Sequence, residues 1–338
     1  QPLSSSFGFI DTSGEFVIPP TYEDVTDFAG SRARFMAGGK VGYLDPDRRE
    51  VIPLRFGEAG EFHEGLAAVM EWDPLIHAPD VHRDRAGALR QQKTNPVGYI
   101  DPVGEYAIEP AFRFGHEFSE GLAGVSYDGD EWGFIDATGE VRLVDVDRAR
   151  PFREGYAWFE TVAWRKGFLD KDLRVAIQPV YADAFGFCEG LAWVREESDD
   201  TGCHFLNPDG DRVLTFDTDC DNGFSNGLLY VREGDLSGFV NRNREWVIPP
   251  VFERPGPGFH EGMAAMQVAG KWGFLNTEGD MAIQPRYDAV SPFNSGLAAV
   301  RVGALWGFID TAGDMVIEPR FGDGGSFHEG RCYAALPS

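Results

Sequence analysis

The hexapeptide Lys271-Trp272-Gly273-Phe274-Leu275-Asn276 carries the main structural signal, because its Gly-aromatic-aliphatic-Asx core returns along the whole chain. The core stands as Gly8-Phe9-Ile10-Asp11, Gly42-Tyr43-Leu44-Asp45, Gly98-Tyr99-Ile100-Asp101, Gly133-Phe134-Ile135-Asp136 and Gly167-Phe168-Leu169-Asp170. Further copies are His204-Phe205-Leu206-Asn207, Gly238-Phe239-Val240-Asn241 and Gly307-Phe308-Ile309-Asp310. Successive spacings are 34, 56, 35, 34, 37, 34, 35 and 34 residues. Self-similarity at such a period marks a tandem-repeat architecture. The 338 residues therefore read as one array of nine copies over 7–336, starting near 8, 42, 98, 133, 167, 204, 238, 273 and 307, with an inserted loop at 72–96.

Each copy reads as three or four short antiparallel strands. The signature strand is followed by a turn such as Asp136-Ala137-Thr138-Gly139, where an Asx side chain bonds the backbone ahead of it and Gly accepts positive φ. All nine copies have Asp or Asn at the turn start and six end it with Gly. A second, apolar strand is expected to stop at proline, as in Val316-Ile317-Glu318-Pro319, because proline cannot donate to a ladder. A loop with Phe-x-Glu-Gly follows (Phe118-Ser119-Glu120-Gly121), then a third strand such as Leu297-Ala298-Ala299-Val300. The fold class is all-β, a tandem array of nine ~34-residue hairpin or meander repeats. Neither end carries a polar cap. The expectation is an open, curved, solenoid-like array, since ~34 residues is short for a four-stranded propeller blade of about 40–45; the alternative is a closed, propeller-like ring.

The Trp-Gly pairs Trp132-Gly133, Trp272-Gly273 and Trp306-Gly307, with Lys271 completing Lys-Trp-Gly, make the chain resemble the WG-repeat (KWG-repeat) family, widespread in bacterial proteins. The resemblance runs from about Phe7 to Leu336. It implies an interaction module without shared catalytic residues, and some members resemble immunity partners of secreted toxins. Copy six departs, with Cys203-His204 in place of Trp-Gly, and copies four and six lack the proline.

Lys plus Arg total 30 against 55 Asp plus Glu, a net charge of −25. That excludes a general nucleic-acid binder and a polybasic membrane anchor, and it suits a basic partner. No apolar run approaches the ~20 residues of a membrane span. Gln1-Pro2-Leu3 shows neither an initiator Met nor a signal-like segment. Cys188, Cys203, Cys220 and Cys332 have no metal-type spacing and read as reduced thiols, with a cytoplasmic location expected.

Aligning the copies exposes a variable third-strand position, occupied in turn by Arg34, Ala68, Gly124, Trp158, Trp193, Tyr230, Ala265, Ala299 and Tyr333. Trp158, Trp193 and Tyr230 fall on successive copies. They form either an aromatic interaction stripe or core filler replacing what copies four and six lack. The acidic turn Glu196-Glu197-Ser198-Asp199-Asp200 gives a steering patch from Glu196, Glu197, Asp199 and Asp200. The insertion supplies His77, His82 and Arg83 as further partner contacts. No P-loop, GxGxxG, HExxH or GxSxG occurs, and no cofactor or metal set is nominated. The recurring Glu of Phe-x-Glu-Gly is expected to bond backbone N–H groups, not to act as a base. The expected function is non-catalytic binding of a basic protein; the alternatives are an immunity protein, or a glycan-binding module or enzyme with an aromatic platform.

Overall fold

Every copy of the signature becomes a β-strand, and each is placed between two others. The computed structural model describes all residues except 1–5, 48, 74–94, 130, 145, 198–201, 219, 221–222, 253 and 338, and except the side chains of 254–257. Among the described residues all regular structure is β. Two compact units form: Gln1–Pro20 with Arg153–Ser338, and Thr21–Phe152.

The sheet formula is visible near the C-terminus. A two-residue outer strand, Ala289–Val290, pairs with the third strand Leu297–Val302. That strand pairs with the next copy's signature strand Leu305–Asp310, which pairs with the second strand Met315–Phe321. Each sheet thus joins two consecutive copies, so no copy completes a sheet alone. In the second unit two such sets fuse into one seven-stranded sheet. The terminal strands, which had no partner within their own copies, take each other: Phe7–Ile10 pairs antiparallel with Cys332–Ala335, Phe9 opposite Tyr333.

The second strand does not stop at proline. Met315–Phe321 runs through Pro319, and its register shifts opposite Trp306 and Phe308. A bulge is one of the few places a strand tolerates proline. The bulge also explains the signature glycine. A Cβ on Gly238 would lie 2.3 Å from the Ile248 carbonyl oxygen, and one on Gly273 2.4 Å from that of Ile283. Copies four and six, which lack the proline, pair without the bulge ahead of the signature aromatic: Gly133 faces Leu143, and His204 faces Thr215, while copy six keeps the shift between Phe205 and Leu206. Without the bulge, copy six accommodates His204, whose ring Nδ1 lies 3.1 Å from Thr215 Oγ1.

The Asx turns form as read. Asp11 Oδ1 accepts from the amides of Ser13 and Glu15, and Asp310 Oδ1 from those of Ala312 and Asp314. The core is aromatic. Each signature ring is buried, and those from copies two to nine pack on their own copy's loop phenylalanine: Phe274 on Phe293 at 4.7 Å, Tyr43 on Phe62 at 5.0 Å, Phe205 on Phe224 at 5.5 Å. Such pairs add about 1 kcal/mol each beyond area burial.

Candidate functional site

The variable third-strand residue sits directly opposite the signature aromatic: Trp158 faces Phe168, Trp193 faces Phe205 and Tyr230 faces Phe239. Directly opposed residues share a face, so this position points where fully or nearly fully buried rings point. Diagonally across lies the residue preceding the signature glycine. The two positions share one slot. Trp132, Trp272 and Trp306 fill it from the signature strand, and their diagonal neighbours are Gly124, Ala265 and Ala299. Lys166, Cys203 and Ser237 leave it open, and there Trp158, Trp193 and Tyr230 fill it from the third strand. The two sides meet where Tyr230 Oη lies 2.8 Å from Ser237 Oγ.

This corrects the aromatic stripe. Trp193 is 8% exposed and belongs to a core with Phe205 and Phe224. Trp158 and Tyr230 are half-buried, each packed against a different core. The acidic patch is corrected in part: Glu196 pairs with Arg212 and Glu197 with Arg165, so neither offers an unopposed charge. Asp199 and Asp200, and His77, His82 and Arg83 of the insertion, lie outside the described residues. The reduced-thiol reading is corrected as well. Cys203 and Cys220 form a disulfide, their Cα atoms 6.3 Å apart, because the signature strand of copy six passes beside the loop residue Cys220. Cys188 and Cys332 are not in a disulfide. Burial raises the pKa of the Cys188 thiol, which donates to the Phe224 carbonyl and is no activated nucleophile.

The Phe-x-Glu-Gly loops are inter-copy staples. Each Glu adopts φ near +50° and is followed by a positive-φ Gly, as at Glu154 (51°) and Gly155 (85°). The Glu154 carboxylate accepts from the amides of Glu189 and Gly190 in the next copy. Glu64 accepts from Gly121, Glu189 from Gly227 and Glu261 from Gly296. The preceding residue adds a second bond, Ser119 Oγ to Phe152 O and Ser225 Oγ to Phe259 O. These carboxylates are committed to backbone, as the sequence reading expected. His63-Glu64, His260-Glu261 and His328-Glu329 place their Glu at the same positive-φ turn.

One turn breaks the pattern. Thr161-Val162-Ala163-Trp164-Arg165 closes the hairpin between the third strand of copy four and the next signature strand. Its Thr161 amide bonds the Arg165 carbonyl and its Trp164 amide bonds the Thr161 carbonyl. Asp11–Glu15 closes with the same bonds around Gly14 at φ 84°. Here the positive-φ place, at 59°, is held by Trp164; Leu173 and Arg244 hold it in two other turns, but neither is aromatic. A bulky residue pays about 1–2 kcal/mol there. Trp164 is nonetheless 72% exposed and Val162 83%. Arg165 enters a shallow groove of about 730 Å³ with Pro179, Val180, Glu196 and Glu197, and Val180 is itself 61% exposed. The Arg165–Glu197 pair ties this turn to the acidic hairpin of the next copy.

The model of the WG containing repeat matches residues 7–40, 42–71, 98–129, 132–161, 167–198, 238–272, 272–306 and 306–335, well over half of the chain. The chain belongs to the WG-repeat family. The longest unmatched stretch of this WG-repeat protein, 199–237, holds copy six, which still folds as strands Cys203–Leu206, Arg212–Phe216 and Leu229–Glu233. No curated protein matches it in sequence. Among solved structures, a eukaryotic initiation factor is similar at 10% identity and TM-score 0.59, over 92% of this chain and 95% of that one. BamB from Moraxella catarrhalis is similar at 10% identity and TM-score 0.42, over 93% and 96%. The likeness to the initiation factor is one of fold alone. A repeat-rich all-β fold of this kind suits a binding scaffold.

Sequence reading missed the Trp164 turn because it compared strands. The signal was present: Trp164 stands in a hairpin whose counterparts use Gly38-Gly39, Ala269-Gly270 or Gly303-Ala304.

Proposed function

We propose that this WG-repeat chain is a non-catalytic scaffold that binds a basic protein, which docks an apolar pocket on the Val162–Trp164 turn. The observation that carries the reading is Trp164, the one aromatic at a positive-φ turn place that glycine holds in most like turns and Leu173 and Arg244 hold in two, and it is left exposed. Strained, exposed aromatics are retained where they make a contact, and tryptophan dominates binding hot spots. The chain's net charge of −25 favours encounter with a basic surface. The Arg165–Glu197 and Arg212–Glu196 pairs act locally, fixing the turn and groove beside the anchor.

Capture from the source organism's lysate with wild-type and Trp164→Gly protein tests this. Glycine suits φ 59°, so the variant is expected to be as stable as wild type or up to about 1 kcal/mol more stable. A stoichiometric basic partner, held by wild type, weakened by salt and lost by the variant, is the expected result. A partner retained by Trp164→Gly, or one that is acidic, overturns the reading.

A further inference from the structure

The nine copies form nine such slots, six of them described above, and eight receive at least one long side chain. Arg34 fills the slot beside Val41, and Tyr333 and Phe7 share the one at the chain ends, their rings 5.9 Å apart. In the ninth, Ala68 lies diagonal to Val97, two short side chains, with Met70 directly opposite Val97 and on the same lining. A cavity of about 460 Å³ opens there.

The next copy shows what this space is shaped for. Trp132 lies between the rings of Phe114 (6.3 Å, 8° between planes) and His116 (5.3 Å, 24°). The residues aligned with Phe114, Trp132 and His116 are Glu58, Val97 and Gly60, and all three line the cavity. The aromatic stack is thus replaced by an indole-sized gap with a carboxylate where one flanking ring would be. Two tyrosines, the only signature aromatics that are not phenylalanine, fix backbone at its edge: Tyr43 Oη donates to Gly60 O at 2.6 Å and Tyr99 Oη to His116 O, between the lining residues Gly115 and Glu117, at 2.9 Å. Their burial raises both hydroxyl pKa values, so they remain protonated donors.

The charges are unevenly answered. Arg34 donates to Ala59 O and lies 3.4 Å from Glu61, which neutralises that acid. Glu58 and Glu117, also on the lining, have no ion pair among the described residues. Arg34 Nε is buried at the wall without a hydrogen-bond partner, a donor for one acceptor atom.

We propose that the Ala68–Val97 slot is a ligand site for a flat aromatic cation, its ring in the gap that the repeat's tryptophan occupies elsewhere and its ammonium against Glu58 and Glu117. The chemistry fits a free aromatic amine or the amino-terminal residue of a peptide. This site is independent of the Trp164 turn, so either proposal stands if the other fails.

Calorimetric titration with L-tryptophanamide tests it on the intact chain. Saturable one-to-one binding is expected. Indole-3-propionamide, which lacks the charge, is expected to bind about two- to fivefold more weakly, the range for exposed ionic contacts. The same loss is expected for Glu58→Gln. Val97→Trp fills the slot as Trp132 does, and Ala68→Trp fills it from the other strand as Trp193 does. Either is expected to fold, to raise the melting temperature and to lose binding by more than tenfold. A tripeptide beginning with Trp, run alongside, assigns the site to peptide ends if it binds more tightly than tryptophanamide, and to free amines if it binds less. No binding of tryptophanamide, equal binding of the neutral amide, or undiminished binding by a folded filled-slot variant overturns the proposal.

Discussion

The slot beside Ser237 and the slot beside Trp272 lie in successive copies and hold similar rings delivered from opposite strands. In the first, Tyr230 of the third strand reaches across to Ser237. In the second, Trp272 of the signature strand lies diagonal to Ala265. The repeat therefore preserves filled volume at a site in space, while the residue that fills it changes place. Close-packed interiors demand this, because an unfilled gap forfeits contacts on every wall.

The sharpest break of the comparison is Trp193→Ala. Trp193 is nearly fully buried and Cys203 cannot replace its volume. Truncation of a buried tryptophan costs about 3–5 kcal/mol. Urea unfolding of the variant is expected to show that loss, and a smaller one for half-buried Trp158→Ala. A cost below about 1 kcal/mol for Trp193→Ala would mean that this slot tolerates emptying.

Next in size is reduction of the Cys203–Cys220 disulfide, which spans 17 residues. A loop near that length contributes about 3 kcal/mol through the unfolded state. Dithiothreitol is expected to lower the melting temperature and to increase amide exchange in 203–216 before the strands around Trp272. Unchanged exchange there would mean that Trp193 alone holds the degenerate copy.

A rescue sharpens the comparison further. Tyr230→Ala removes a half-buried ring and its hydroxyl bond, at about 2–3 kcal/mol. Adding Ser237→Trp supplies the ring from the other strand, as Trp272 does. The double variant is expected to recover most of the loss, whereas Ser237→Trp alone overfills the slot and costs about 1–3 kcal/mol. Simple additivity of the two losses would sever the link between the positions.

The repeat and its Asx turns were legible because each follows from local chemistry within one copy; the recurring Glu was legible as a backbone acceptor, but not its reach into the next copy. The slot was half legible. The sequence showed Trp158, Trp193 and Tyr230 as a series, but the compensation appears only when a third-strand residue is paired with the residue before the next glycine, and that pairing crosses copies. The same crossing hid the reach of Arg165 to Glu197, which turns an apparent charge patch into a paired one. Pro319 misled for another reason: it was read as a strand end, and the bulge that lets a strand continue through it is a property of two strands together.

The smallest effect concerns His116, stacked on Trp132 with its Nε2 buried and unpartnered. Burial lowers its pKa from the ordinary 6.5; Glu117 opposes that shift, and Arg150 and Arg148 reinforce it. Above pH 6.5 the ring is neutral folded and unfolded, so the full contribution is present. As the pH falls below 6.5 the unfolded chain takes up the proton first, and stability is lost until the folded ring is protonated too. Urea midpoints of wild type and His116→Gln, compared from pH 7.5 to 5, isolate this ring from the many carboxylates. Wild type is expected to lose more stability on acidification than the variant. The opposite sign would mean that a protonated imidazole over the Trp132 face gains more from the indole's π-cloud than burial costs it, and the stack would then favour a charged neighbour. That outcome would strengthen the case that the same place in the preceding copy, with its indole absent and Glu58 on the wall, is built around a cation.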